Sequence, residues 1–561
     1  MAYGATGPKE SSSQAPVESE DSSDWQPGRV PTSDLPTRLL EIGTETPSSV
    51  RLVDLSKASE SILNTISSAG YAALSYCWGP GGNPVQLTSA TSGPLQQGIL
   101  SDTLPATIRD IIRLSSLIGI RYLWVDALCI QQDSDHDKQA ELAKMAQYYH
   151  NNTVTICAAS AASASEGLQP QGTRPVHQYG PMQIATAFGG KAGCLLLHSD
   201  RLSIAEPTTS RGWTLQESLL SRRILTCSNQ LYYCCATANA ECAGPYHKLS
   251  LQPDRNFSDP KSLVPRIHPA SVWRVYPLLT QWEFGVKEFS TRAISFADDK
   301  LPAISGFARV MHAKFQAKEG DFTGDPRIQR RYPVQYQGKV LHYLAGLFLS
   351  YDDQAVTGWN LLWRAALTGN ARVASYRAPT WSWACLDGPI VSFDGSHELE
   401  KTVVRLVRHE YEPAARVNPY GSVQHASIHV SAPMRLAVDA AELLPAQWLP
   451  WSEEPSGVFA FYPDTAQDLA YLERAVAQGS RDVWLLLVAY NKTTHRHGGL
   501  IVSRFKVSDT SDEDTSSVGT FERRGSFTLR FAGYQPSEAT EKLMHKAREF
   551  FETAAVTVRL V

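Results

Sequence analysis

The sequence predicts an α/β protein: a parallel sheet with its helices near the N-terminus, then a mainly helical region, then a β-rich C-terminal region. Three observations predict it. Between about 49 and 245, short apolar runs alternate with amphipathic helical segments, the pattern of right-handed βαβ crossovers. Residues 246–400 hold helix-like segments and aromatic-rich loops. Residues 401–561 turn β-branched and alternating, as in TVVRLVRHEY, SIHVSAPMRLAV and SFTLRFAGY. Residues 1–48, rich in Ser, Pro, Thr, Glu and Asp, read as a disordered tail. A chain of 561 residues exceeds what one core organises.

The elements follow in order. YAALSYCW (71–78) is a strand ended by the glycine turn GPGGNP. SDTLPATIRDIIRLSSLIGI (101–120) is a helix, capped by Asp102 or Thr103, with Leu104, Ile108, Ile111, Ile112 and Ser115 as its buried stripe and Gly119 at its end. RYLWVDALCI (121–130) starts as a buried strand, with Asp126 at or near its C-terminal end. KQAELAKMAQYYH (138–150) is a second helix, and NTVTICAAS (152–160) a third strand. RGWTLQESLLSRR (211–223) opens another helix, and RRILTCSNQLYYCC (222–235) carries one or two further strands. Downstream, SVWRVYPLLTQWEFGVKEFS (271–290) and NLLWRAAL (360–367) are helix-like, VWLLLVAY (483–490) is a buried strand, and SDTSDEDTSS (508–517) is an acidic loop.

Composition narrows the function classes. Hydrophobic residues make up 43% and charged residues 19%, ordinary for a globular protein. The net charge of −4 gives no general attraction for nucleic acid or an anionic membrane. No apolar run is long enough to span a bilayer, and the N-terminus lacks a secretory h-region, so a cytoplasmic protein with reduced thiols is expected.

In an open parallel sheet, ligands bind beyond the carboxyl ends of the strands. Three such ends can be named: Tyr76–Gly79, Asp126–Leu128 and Ala158–Ser160. The glycines at 79, 81 and 82 allow close backbone approach to a phosphate, yet the loop is neither a Walker A sequence nor GxGxxG. Asp126, in an apolar strand, needs a partner; it is either a structural ion pair or cap, or an acceptor for a ligand hydroxyl. Glu217 leans toward the apolar side of its helix. It either pairs with Arg211, Arg222, Arg223 or Ser221, or it works as a functional carboxylate. Cys227, Cys234, Cys235 and Cys242 with His247 lack the CxxC knuckle of structural zinc sites, so no metal is expected. The aromatics of PTWSWACLDG (379–388) read as packing residues, with a binding surface as the alternative.

LSYCWG (74–79), LPATIRD (104–110), GIRYLWVDALCIQQD (119–133), KMAQYY (144–149) and RGWTLQESLLSRRIL (211–225) stand in the order of the fungal heterokaryon incompatibility (HET) domain, which this region resembles. YLAGLF (343–348), LLWR (361–364) and YRAPTWSWACLDG (376–388) resemble the region that often follows it. The resemblance implies a fungal source and a role in non-self recognition ending in growth arrest or programmed cell death. HET domains are also distantly similar to TIR domains, which implies a TIR-like or flavodoxin-like parallel sheet. In many TIR domains a helix carries Trp-Cys-x-x-Glu, whose glutamate is required for NAD cleavage. Trp213 to Glu217 match that spacing, with Thr214 in place of the cysteine. On this resemblance Glu217 is the catalytic residue. Tyr76, Trp78, Gly79, Asp126 and Trp213 would line the nucleotide site, and NAD would be a substrate rather than a required cofactor. The alternatives are a non-enzymatic module that works through protein partners or self-association, and an accessory or enzymatic role in a secondary-metabolite cluster.

Overall fold

The computed structural model describes residues 30–44, 49–168, 182–188, 191–197, 206–228, 231–235, 239–242, 248–250, 278–316, 340–365, 370–391, 401–443, 446–448, 459–491, 496–505, 519–529, 542, 545–546 and 549–561. The acidic loop 508–517, the first 29 residues and the 271–277 part of the helix read over 271–290 lie outside them.

The N-terminal sheet is built on four parallel strands: β3 (Ala72–Ser75), β5 (Tyr122–Trp124), β6 (Val154–Cys157) and β9 (Arg223–Cys227). β3 lies between β5 and β6, in register Ala72 to Leu123 and Ala72 to Val154, and β9 pairs the far side of β6. In chain order their spatial sequence is second, first, third, fourth, which is the flavodoxin-like order. The strand order therefore reverses between β3 and β6. Crossovers of the usual hand place the helix leaving β3 and the helix leaving β5 on opposite faces. The first of these is α3 (Ala106–Leu117), whose Ile108, Ile111 and Ile112 are buried. The second is α5 (Asp135–Asn151), whose Tyr148 and Tyr149 both pack on Trp124 with ring centroids 5.6 Å apart.

Antiparallel strands extend this parallel centre on both sides. On one edge stand β1 (Arg38–Ile42), β2 (Ser49–Asp54) and the two-residue β4 (Ile99–Leu100). On the other, β9 turns back into β10 (Leu231–Cys235), followed by β11 (Asn239–Cys242) and β12 (Lys248–Ser250). A separate hairpin joins β7 (Met182–Phe188) to β8 (Lys191–Leu197). The sheet is thus mixed rather than wholly parallel.

The structure corrects three boundaries. Residues 30–44 are not tail: β1 sits in the sheet with Leu39 and Leu40 fully buried, because RLLEI carries a strand pattern that the polar composition of its surroundings conceals. The helix over 101–120 begins at Ala106, after a 3-10 turn at Ser101–Thr103. Pro105 holds the capping position, and neither Asp102 nor Thr103 caps it. NLLWRAAL is not one helix, since the helix Gln354–Leu361 stops at Leu361 and Arg364–Ala365 pair as a strand.

α6 (Trp213–Leu220) of the first domain packs together with α7 (Leu278–Ser290) and α8 (Pro302–Gln316) beside α5. Beyond residue 400 a nine-stranded, mostly antiparallel sheet forms. Its strand Val483–Asn491 is a continuous apolar run because both its faces are covered. Leu486 and Val488 enter a core shared with the α7 and α8 region, whereas Leu485 and Leu487 face a second core with Phe527 and Phe551. Trp381 and Trp383 of PTWSWACLDG are buried in the shared core.

A carboxylate crevice at the strand-order reversal

β3 ends at Ser75 and β6 at Cys157, and these two residues are register partners. Their carboxyl ends form the floor of the reversal point. The chain after β3 runs through Tyr76, Trp78 and Gly79. Gly79 has φ +95°, and a Cβ there would lie 2.6 Å from the Cβ of Ser163, so only glycine lets this turn close on the loop after β6. Asn83, from the same turn, donates to the Tyr76 hydroxyl at 2.5 Å.

Asp126 opens α4 (Asp126–Cys129), a single helical turn that directly follows β5. Its Oδ1 accepts the Ala127 amide at 2.6 Å, and its Oδ2 accepts the Trp78 indole N–H at 2.9 Å. The sequence offered an ion pair or cap, or an acceptor for a ligand hydroxyl; the carboxylate is held here by the Trp78 indole and the Ala127 amide. Burial raises its pKa, while Arg211, the Ala127 amide, Trp78 and Tyr76 pull it down.

Glu217 comes from α6 and is 5% exposed. Burial pushes its carboxyl up to about 7, and the Asp126 charge adds to that rise. The Ser75 hydroxyl, the Arg211 guanidinium and the Tyr149 hydroxyl oppose it. Its Oε2 has no hydrogen-bond partner. The ion pairs that the sequence offered do not form. Arg211 donates to the Tyr76 carbonyl at 2.5 Å, Arg222 meets His150 Nε2 at 3.0 Å, and Arg223 donates to the Thr153 carbonyl at 3.3 Å. Ser221 bonds the backbone carbonyl of Glu217 and the Thr155 hydroxyl, each at 2.5 Å, not the Glu217 carboxylate. A buried carboxyl with one oxygen unsatisfied is costly when charged, which is why it keeps its proton to higher pH.

Tyr76, Trp78, Gly79, Asp126 and Glu217 thus gather at one end of the parallel strands. Trp213 does not join them: its indole donates to Asp299 Oδ2 at 3.2 Å, and its ring packs between the first-domain core and the shared core. Three residues near Glu217 were not singled out from the sequence as site residues. Ser75 sits inside LSYCWG, Tyr149 inside KMAQYY, and Arg211 at the head of α6. Tyr149 donates to the Leu74 carbonyl at 2.9 Å and is itself held protonated by burial and by the charges of Glu217 and Asp126. In the sequence it looked only like part of a helical core stripe. The cysteines around the site are structural: burial pushes the thiol of Cys157 up to about 12 and raises that of Cys77. Among the described residues no group of three or more His, Cys, Asp or Glu could hold a metal ion.

The fold and this crevice define a doubly wound α/β domain with a buried carboxyl at its order reversal. Residues 71–217 match the family described as Heterokaryon incompatibility protein (HET), and the chain carries a HET domain over that span, from β3 to Glu217 itself. It therefore has a role of the heterokaryon-incompatibility type. No curated protein and no solved structure matches the chain. No helix among the described residues is long and apolar enough to cross a membrane.

Proposed function

We propose that the chain is an effector of non-self recognition whose activity ends in growth arrest or cell death, and that it acts by cleaving NAD at the β3–β6 crevice. One observation carries this reading: a buried Glu217 carboxyl with its Oε2 left without a hydrogen-bond partner and its pKa raised to about 7, beside Asp126, at the end of a doubly wound sheet where ligands bind. Cleavage breaks the bond between ribose C1′ and the nicotinamide nitrogen. Nicotinamide leaves with the bonding electrons, and water adds to C1′ and releases a proton. The Glu217 carboxylate would stabilise the oxocarbenium-like ribose, and Asp126 would accept a ribose hydroxyl.

The test is release of nicotinamide from NAD by the full-length protein, with loss of that release in Glu217→Gln. If cells expressing the variant still arrest with their NAD unchanged, the catalytic reading fails. A second reading, a non-enzymatic module that signals through protein contacts, draws support from how closed the crevice is, with Tyr76 2% exposed. It expects Glu217→Gln to keep the phenotype and surface substitutions that block self-association to remove it.

A further inference from the structure

A second site lies outside the HET domain, where α7 meets the segments 347–363 and 383–391. A cavity of about 30 Å³ opens there, lined by Trp282, Trp359, Trp363 and Trp383, with the acidic Glu283 among them. Its space is about twice what one water needs, so it would take the head of a ligand whose remainder stays outside. Among the described residues Glu283 has neither an ion-pair nor a hydrogen-bond partner. Lys287 stands one turn further along α7 on the same lining, the spacing at which helix carboxylates commonly pair. No such pair forms. The remaining lining, from Val286, Leu347, Asn360, Ile390 and Val391, carries no charge.

An unpaired carboxylate among indoles has one natural complement. Ring faces attract cations, and recognition of ammonium groups by aromatic cages with an acidic neighbour follows from the same electrostatics. Trp363 shows the same affinity outside the cavity, where the Arg523 guanidinium lies 3.4 Å from its ring centroid. We propose that the cavity binds an organic ammonium group, with Glu283 as counter-ion and the tryptophans as its cage. Burial pushes Glu283 up to about 7. The ammonium group can belong to a free small molecule or to a methylated lysine side chain.

The experiment follows tryptophan fluorescence of the full chain during titration with choline, with its neutral carbon isostere 3,3-dimethylbutanol, and with N-acetyl-trimethyllysine amide. Choline or the lysine derivative should bind at least tenfold more tightly than the neutral isostere, and whichever binds better identifies the source. Glu283→Gln should weaken binding by tenfold or more, and Trp359→Ala should do the same. Glu283 and Lys287 are the titratable groups of the lining, and the cation needs the ionised carboxylate. Affinity should therefore rise with pH through about 7 and fall roughly tenfold per pH unit below it. Equal binding of choline and the isostere, or no saturable binding of either cation, overturns the proposal. If Glu283→Gln fails to fold, the discrimination against the neutral isostere and the pH trend still decide it.

Discussion

Replacing Glu217 by glutamine removes a proton equilibrium that differs between the folded and unfolded chain, and the consequence can be worked out in advance. In the unfolded chain the carboxyl titrates at its ordinary 4.5; in the folded protein it holds its proton up to about 7. Protonated Glu217 costs the fold little, and the charged form is what the buried site resists. The contribution is therefore fully present below pH 4.5 and is lost as pH rises through 7. Each pH unit between the two values is worth about 1.4 kcal/mol, so the folded protein should lose about 3 kcal/mol from this group over that window. Glutamine carries no such titration. The assay is urea denaturation of the full chain and of Glu217→Gln, followed by a probe within the HET domain at intervals from pH 4 to pH 8. The other carboxyls titrate in both proteins, so the difference between the two curves isolates Glu217. That difference should move in the variant's favour by about 3 kcal/mol between pH 4.5 and pH 7. Parallel curves would show an ordinary solvated carboxylate and would remove the basis for treating Glu217 as functional. The same value sets the expected rate profile: NAD cleavage that needs the carboxylate should rise with pH and level off above about 7.

Two further predictions concern what holds the site and the C-terminal sheet in place. A side chain at Gly306 of α8 would meet Ala146 Cβ at 2.5 Å and Gln216 Oε1 at 2.8 Å, so Gly306→Leu should cost about 1–3 kcal/mol and, by displacing α6, bring the Glu217 pKa back toward 4.5; an unchanged melting temperature with an unchanged pH profile would refute this. Arg523 is fully buried, bonded to both oxygens of Asp464 at 2.9 and 3.1 Å and to the carbonyls of Leu361 and Trp363, so Arg523→Ala should cost about 3–5 kcal/mol in urea denaturation, while Arg523→Met combined with Asp464→Leu should recover most of it.

The legible part of this protein was what period and punctuation encode. The strands at 72–75, 122–124 and 154–157 and the helices between them follow from apolar alternation and glycine stops, and from them the strand-end location of Tyr76, Trp78, Gly79 and Asp126 follows as well. Three kinds of feature were not legible. The place of β1 in the sheet comes from long-range pairing: its RLLEI strand pattern lies inside a polar stretch and is recruited by β5. The identity of Asp126's partner, the Trp78 indole, depends on two loops meeting across 48 positions of chain. Glu217 illustrates the third. Three arginines near it in sequence suggested an ion pair, but each of them bonds elsewhere, and sequence proximity says nothing about which acceptor a long side chain reaches first.

The position of α6 also bears on where the functional unit ends. Leu215 belongs to the shared core with α7, α8 and the C-terminal sheet, whereas Leu220, little more than one turn on, belongs to the core of the first domain. Around Glu217, the Gly306 amide donates to Gln216 Oε1 at 3.2 Å, Arg292 donates to the Thr214 hydroxyl at 3.2 Å, and the Trp213 indole bonds Asp299. Gly212 is packed so tightly against Ile294 that a Cβ would lie 2.1 Å from its Cδ1. Every one of these contacts reaches past residue 280, beyond the span that matches the HET family. The strands supply the floor of the crevice, and Ser75 and Tyr149 meet the carboxyl itself, but the helix that carries it is held by helices and loops that come later in the chain. Any displacement of α7 or α8 relative to the sheet would therefore shift Glu217 before it disturbed Asp126, which is bonded within its own domain. A domain cut after 245 would keep the strands and the Asp126–Trp78 pair while losing the contacts that hold α6, and that is the physical reason to treat the HET domain and the 280–316 helices as one working unit.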